Sequence, residues 1–179
     1  MTMIIDGSAG VTFPNSTVQA SAGQVLQVVQ SVKTNTQSTT STSAVDVTGL
    51  SVSITPKFAT SKILVMADVN CGISTATGSY SFLWLVRNST NIYVGDAAGS
   101  RSQVWQMLAN DYANVQTAMF RFTSNYIDSP ATTSATTYKI QFNSNNGAVA
   151  TYINQSATDV NASYVGRTAS SITVMEIAG

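Results

Sequence analysis

The chain of 179 residues is long enough for one domain that buries about two thirds of its unfolded surface, plus a short appendage. Only 9% of its residues are charged, eight acidic and eight basic, and histidine is absent. This balance provides no electrostatic footprint for nucleic acid or for an anionic membrane. Ser, Thr, Asn and Gln supply about two fifths of the chain, so the surface is expected to be polar and neutral, which suits contacts between subunits.

Residues 1–23 differ from the rest and are predicted to form an arm used in assembly. Their short alternating apolar stretches are broken by turn residues at Asp6-Gly7 and Pro14-Asn15. Strands this short are not stable alone in water, so we expect order only against copies of the arm or against a partner. A disordered tail is the alternative. We expect neither a secretory signal nor a membrane span, because the opening lacks a basic region and no apolar run reaches eighteen residues.

Residues 24–179 are predicted to form the globular domain. Its first segment, 24–33, has valines at helical spacing, but the density of β-branched residues favours a strand. Residues 34–43 contain no apolar side chain and are interpreted as an exposed loop or an extended connection.

The period-two pattern is clear from residue 50 onward. Leu50, Val52 and Ile54 alternate with polar residues, which is typical of a strand with one buried face. The segments 62–70 and 80–87 are instead apolar on both faces. One sandwich buries only one face of each strand, so a second face needs a neighbour, most simply another subunit. Four residues of the second segment are therefore assigned to the core or to a trimer interface: Phe82, Leu83, Trp84 and Leu85.

The second half of the chain contains one irregular segment followed by further strand patterns. Residues 95–114 lose the alternation and are predicted to be an irregular excursion, with a short helical turn as one option within it. Strand patterns return at 117–127, 138–142, 149–154 and 171–177. Short strands with turns between them and no long helix predict an all-β fold, an antiparallel β-sandwich of the jelly-roll type.

The residue types and their spacing give little support for a catalytic or a metal-binding site. Without histidine, Ser-His-Asp and Cys-His nucleophile arrangements cannot form, and zinc sites of the His or Cys type are excluded. Cys71, the single cysteine, is predicted to be a small buried hydrophobe. Eight scattered carboxylates show no spacing that would mark a glycosidase pair or a calcium site, although neither is formally ruled out. We expect a protein that is not an enzyme and that needs no cofactor or metal.

A candidate recognition loop remains. Arg101, Trp105, Asn110, Asp111 and Tyr112 concentrate stacking and hydrogen-bonding groups in the least regular segment. Recognition loops use this mixture. The alternative for Trp105 is that it plugs the end of the sandwich.

Several segments resemble a known family. Gly10-Val-Thr-Phe-Pro-Asn-Ser-Thr-Val-Gln19 is similar to the Gly-Val-Thr-Phe-Pro-(Asp/Asn)-x-Thr-x-Gln segment of phage and prophage tail-fibre proteins. The ending, Ser170-Ser-Ile-Thr-Val-Met-Glu-Ile-Ala-Gly179, resembles the last strand of the globular domain that often follows. Shorter stretches resemble other strands of that domain: Ser53-Ile-Thr-Pro56, Ser61-Lys-Ile-Leu-Val65, Tyr126-Ile-Asp-Ser-Pro130 and Thr137-Tyr-Lys-Ile-Gln-Phe142.

The resemblance implies a homotrimer similar to tumour-necrosis-factor or C1q heads, located on the virion and binding a glycan or protein of the host surface. It supplies no catalytic residues. Residues 1–23 would contact other virion proteins, and neither nucleic acid nor membrane insertion is expected. A typical fibre has a long repetitive shaft, whereas some twenty residues precede the domain here. A head fibre or a capsid decoration protein without a receptor is therefore the alternative, and a polysaccharide depolymerase is a minor one.

Overall fold

The computed structural model describes residues 4–6, 10–12, 18–19, 23–74, 79–110 and 116–179. Within them the ordered elements are all strands. In chain order these are β1 (Ile4–Asp6), β2 (Gly10–Thr12), β3 (Val18–Gln19), β4 (Val25–Lys33), β5 (Gln37–Thr39), β6 (Val45–Ile54), β7 (Lys62–Ile73), β8 (Ser79–Arg87), β9 (Thr90–Ile92), β10 (Gln106–Asn110), β11 (Phe120–Asp128), β12 (Thr136–Phe142), β13 (Thr151–Ile153) and β14 (Ser170–Ile177).

The strands at the beginning of the chain form a sheet of their own. β1, β2 and β3 pair in that order, and both pairings are antiparallel. The turn residues Gly7, Pro14 and Asn15, on which the sequence prediction of two turns depends, lie outside the described residues. The role of this segment in assembly stays a prediction.

The other strands form two sheets. Sheet I contains β4, β5, β7, β11, β13 and β14, and sheet II contains β6, β8, β9, β10 and β12. In sheet I, Cys71 of β7 pairs with Phe120 of β11 and also with Ile153 of β13. β13 therefore lies on the side of β7 that β14 occupies. In sheet II, Leu83 of β8 likewise pairs with β12 on one side and with β10 on the other. Each sheet is thus four strands wide.

The order of these strands defines a jelly roll. The eight principal strands in chain order are β4, β6, β7, β8, β10, β11, β12 and β14. The order across sheet I is first, eighth, third and sixth, and the order across sheet II is second, seventh, fourth and fifth. This arrangement of two sheets joined by crossing connections is that of a jelly-roll sandwich, so the predicted fold class is confirmed.

The core lies between the sheets, where the alternation predicted from the sequence places it. Along β7, Ile63, Val65 and Val69 are fully buried, whereas Leu64 and Met66 on the opposite face are half-buried. Cys71 is also fully buried, and burial raises the pKa of its thiol. It behaves as the small hydrophobe predicted. Among the described residues no helix is long and apolar enough to cross a membrane.

Of three local predictions, one is confirmed and two are refined. The 34–43 connection contains the short strand β5, which pairs with β13. Residues 24–33 contain β4, as favoured over a helix. In the described part of 95–114 the predicted helical turn is absent, and the chain ends its irregular course in β10, which pairs with β8. Over 106–110, pairing with β8 satisfies the backbone groups in a strand, so no helical turn forms in those residues.

One buried polar cluster ties the two sheets together. The Asp128 carboxylate on β11 accepts hydrogen bonds from Arg87 Nη1 at 2.8 and 3.0 Å and from the Tyr138 hydroxyl at 2.6 Å. Arg87 and Tyr138 belong to sheet II, whereas Asp128 belongs to sheet I. Burial and the bond to Asp128 raise the pKa of Tyr138, so its hydroxyl remains a donor at all ordinary pH values. The cluster is a clamp across the sandwich.

A second buried carboxylate belongs to β14. Glu176 is fully buried, and its Oε1 accepts bonds from Ser61 Oγ and from the Lys57 backbone N–H, both at 2.7 Å. Its Oε2 accepts a bond from Gln27 Nε2 at 2.6 Å. Burial alone would raise the pKa of this carboxyl group, but the hydrogen bonds outweigh burial and hold the pKa below its ordinary value.

This cluster predicts a specific acid sensitivity. A carboxyl whose pKa is lower in the folded than in the unfolded state contributes stability above the unfolded pKa of 4.5, and the contribution is lost as pH falls through the folded pKa. We expect the urea midpoint of the protein to fall on acidification from about pH 6 to about pH 3. The Glu176→Gln variant should be less stable at neutral pH and should show a shallower fall. Equal slopes for the two proteins would contradict the assignment.

Candidate binding surface

The outer face of sheet I carries a continuous apolar row. Ile127, Leu64, Met175 and Val28 stand directly opposite one another across β11, β7, β14 and β4. Residues paired in this way lie on the same face of a sheet. Ile127 is 58% exposed and Val28 is 52% exposed, whereas the two central side chains are half-buried. One end of this sheet therefore presents an apolar band to solvent along its whole width.

The outer face of sheet II carries an aromatic row. Tyr80, Phe82 and Trp84 are alternate residues of β8 and thus share a face. The ring centroids of Tyr80 and Phe82 are 5.7 Å apart, and those of Phe82 and Trp84 are 5.9 Å apart with an edge-to-face geometry. Such contacts stabilise the rings in fixed orientations. Phe82 and Trp84 are half-buried within the single chain.

The irregular segment 93–105 lies alongside this row and partly covers it. Trp84 Nε1 donates to the carbonyl oxygen of Gln103 at 3.1 Å, and Gln103 Nε2 donates to the carbonyl oxygen of Gly95 at 2.8 Å. The Trp105 backbone N–H donates to the carbonyl oxygen of Leu83 at 3.0 Å, which joins the end of the segment to β8. The neighbour expected for the second face of β8 is thus partly the chain's own loop.

The segment and the aromatic row form the sides of an open groove of about 460 Å³. Tyr80, Phe82 and Met107 provide apolar walls, and Met107 is 51% exposed. The remaining lining residues are Ser100, Arg101, Ser102, Val104 and Asn145. Asn145 is brought here from the turn after β12, where its backbone N–H donates to the carbonyl oxygen of Tyr80 at 3.0 Å. The groove therefore combines aromatic rings, hydroxyl groups, one amide and one guanidinium.

Arg101 gives the groove its charge. The other lining residues are neutral, and Arg101 Nη1 donates only weakly, at 3.3 Å, to the carbonyl oxygen of Ala98. Within the described part of the chain the ion pairs are formed by other residues: Arg87–Asp128, Arg121–Asp68, Lys139–Asp46 and Arg167–Asp159. The guanidinium of Arg101 is exposed and forms no ion pair with a described carboxylate, including Asp96 of the same segment. The described part of the groove lining thus carries a positive charge.

The structure divides the residues of the predicted recognition loop. Arg101 lies in the groove. Trp105 is only 7% exposed and packs in the hydrophobic core, which is the alternative that the sequence left open, so it offers no stacking surface. Asn110 is the last residue of β10, and its side chain lies outside the described part. Asp111 and Tyr112 also lie outside the described residues.

The four residues assigned to core or interface are divided by strand alternation. Leu83 and Leu85 are fully buried between the sheets and belong to the core. Phe82 and Trp84 point to the outer face. Sequence reasoning did not select Tyr80, Met107 or Asn145 as site residues. The regular spacing of the aromatic residues in β8 was the available signal for the first of these.

Most described carboxylates already have structural partners. Asp46, Asp68, Asp128 and Asp159 form the ion pairs given above, and Glu176 is buried in its own hydrogen-bond cluster. No group of three or more potential metal-ligating side chains occurs in the part of the chain that the structure describes. The apolar row and the groove, in contrast, both expose large apolar side chains to solvent.

Fold and surface together define a jelly-roll sandwich with two chemically different outer faces, one aliphatic and one aromatic with a cation. No family model matches the chain, and no curated protein matches it. A solved structure of infectious bursal disease virus, Gx strain, is similar at 11% sequence identity and a TM-score of 0.36. The match covers 85% of this chain and 37% of that chain, so the chain spans little more than a third of its length. A similarity this low adds no argument about function.

Proposed function

We propose that this chain is a structural virion protein, the subunit of a homotrimeric bacteriophage tail fibre that binds the host surface. The tail-fibre-like segments at both ends of the chain support the proposal. The observation that carries it is the apolar row on the outer face of sheet I, because a fibre head must associate with copies of itself. The arm, residues 1–23, would join the head to other virion proteins.

The row has the properties of a self-association surface. Aliphatic side chains that stand exposed in register across four strands form a patch of the kind that marks protein contacts. On the strands of this face Arg121 and Asp68 neutralise each other. Lys62, in contrast, lies beside the row and its ammonium donates to Ser129 Oγ at 3.0 Å, so an interface over the row has to keep Lys62 at its rim in water. Closed rings of identical subunits bury such surfaces. The number three follows from the family resemblance.

Substitution of two residues of the row by lysine tests whether the row is the interface between subunits. The double variant Val28→Lys and Ile127→Lys places two ammonium groups in the apolar row, where burial without a partner is costly. We expect its mass by light scattering to fall from that of a trimer to that of a monomer. Its melting should remain cooperative, because both side chains are more than half exposed in the single chain.

Val160→Lys is the matched control for this experiment. Val160 is 50% exposed but lies in the connection between β13 and β14, away from the row. This variant should keep the mass of the unsubstituted protein. A monomeric unsubstituted chain at micromolar concentration would contradict the trimer, and a trimeric double variant would show that the interface lies elsewhere.

The position on the virion tests the rest of the proposal. An antibody fragment against the globular domain should label the tail in electron micrographs, and the isolated domain should compete with virions for adsorption to host cells. Three copies of a weak site can raise the overall avidity by about 100-fold or more where geometry permits. Label on the capsid without competition would instead favour a decoration protein.

A further inference from the structure

We propose that the groove between β8 and the segment 93–105 is a binding site for a carboxylate-bearing sugar ring, such as a uronic or sialic acid unit of a surface polysaccharide. The inference rests on the proposed function and deepens it by naming the site and the ligand class. It also moves the centre of recognition from Trp105, which is buried, to Tyr80, Phe82 and Arg101.

The apolar wall suits a pyranose ring. Sugar rings have one face of C–H groups that packs on aromatic rings, and Tyr80 and Phe82 hold theirs in adjacent, fixed positions 5.7 Å apart. Met107 lies on the neighbouring strand, where its register partner is Phe82, and its flexible thioether can adapt to the ring edge. A volume of about 460 Å³ is within the usual range for small-ligand pockets.

The polar part of the groove selects for a negative charge. Among the described lining residues Arg101 is the only charged one, and a guanidinium presents parallel N–H donors that match a carboxylate. Ser100 and Ser102 flank this arginine, and Asn145 stands on the β12 side, so hydroxyl groups of a sugar have partners on both sides. Because the groove is open to solvent, a ligand can displace its water molecules without a large rearrangement of the fold.

The groove stays accessible in the proposed trimer. It lies on the outer face of sheet II, whereas the apolar row lies on the outer face of sheet I. A threefold ring uses two different surfaces of each subunit, so a trimer that associates through the apolar row and an edge of the sandwich leaves the groove free. Each trimer would then present three equivalent grooves.

The test is a titration of the full chain with acidic oligosaccharides, followed by NMR of its methionine methyl groups. The probes are a galacturonate tetramer, a mannuronate tetramer and a sialic acid trimer, each compared with its carboxyl-reduced form. We expect at least one acidic probe to bind and to shift the Met107 methyl signal, and its reduced form to bind about 10-fold or more weakly, since a charge-assisted hydrogen bond is lost.

Two charge-removing variants locate the site. Arg101→Gln should weaken binding of the acidic probe about 10-fold or more, whereas Lys57→Gln should bind like the unsubstituted protein. Lys57 is also exposed, but it follows β6 at the end of sheet II where Ile54 pairs with Thr136, away from the groove. A Phe82→Leu variant, which keeps an apolar side chain but removes the ring, should weaken both the acidic probe and its reduced form.

The outcomes separate this inference from the proposed function. Absence of binding by all three acidic probes, or equal loss in the Arg101 and Lys57 variants, overturns the groove. Binding of inorganic phosphate with the same Met107 shift and the same affinity would show a simple anion site and overturn the sugar. None of these results changes the mass of the assembly or its place on the virion, which test the fibre proposal by themselves.

Discussion

Replacement of Asp128 by Asn is expected to destabilise the fold by about 1.5–3 kcal/mol, the range for losing a hydrogen bond to a charged group, because Arg87 is 28% exposed and stays partly solvated. The Asp128 side chain is only 5% exposed, and Arg87 is held 2.8 Å away. In the variant the guanidinium would stay in the clamp without its countercharge, and the Tyr138 hydroxyl, which is fully buried, would lose its charged acceptor. Both effects weaken the connection between the sheets.

The free energy of unfolding is measured by urea titration at near-neutral pH for the unsubstituted protein and for each variant. Asp159→Asn is the matched control, because Asp159 also pairs with an arginine, Arg167, at 2.6 Å, but both side chains are more than a third exposed. Exposed pairs contribute about 0–1 kcal/mol, so this variant should unfold near the urea midpoint of the unsubstituted protein. Equal effects of the two substitutions would show that the clamp across the sheets contributes nothing beyond a surface contact.

A chain that ends at Ala169 is expected not to fold. β14 lies between β4 and β7 and pairs with both, so its loss leaves two strand edges unpaired in the middle of sheet I. Ile172 and Val174 are fully buried, and each buried side chain of this size contributes about 1.5–3 kcal/mol. Together with the lost backbone pairing and the Glu176 cluster, this approaches the whole stability of a domain, about 5–15 kcal/mol.

The control for this truncation ends at Ala178. It removes only Gly179 and keeps the hydrogen bond from the Ala178 N–H to the carbonyl oxygen of Gln24. It should melt cooperatively, with circular dichroism typical of a β-sheet protein, whereas the longer truncation should be insoluble or unstructured. A soluble, cooperatively melting product that ends at Ala169 would contradict the central position of β14.

The strands themselves were predictable because burial of one sheet face imposes a period of two on the sequence. This holds for β6, where Val52 and Ile54 are buried and alternate with exposed residues. In β8 the alternation was visible, but both faces are apolar. Local pattern could not decide whether Leu83 and Leu85 or Phe82 and Trp84 point inward, since that depends on where the opposite sheet lies.

Trp105 shows a second limit of local pattern. Its neighbours in sequence show no regular alternation, which favoured an exposed loop. The bond from its backbone N–H to the carbonyl oxygen of Leu83 instead holds it against β8, and the indole packs in the core. Burial of a single aromatic residue from an irregular segment leaves no periodic signal, because the segment meets the core at one position only.

The amino-acid sequence by itself determined that this protein is an all-β sandwich with a polar, nearly uncharged surface and no histidine chemistry, because composition and period-two alternation are local properties. Only the tertiary structure decided which surfaces exist. The apolar row joins Ile127, Leu64, Met175 and Val28 from four strands that are not consecutive in the chain, and the groove joins Tyr80, Arg101 and Asn145 from three segments. Their proximity arises from strand order and register, which long-range pairing sets and local alternation does not record.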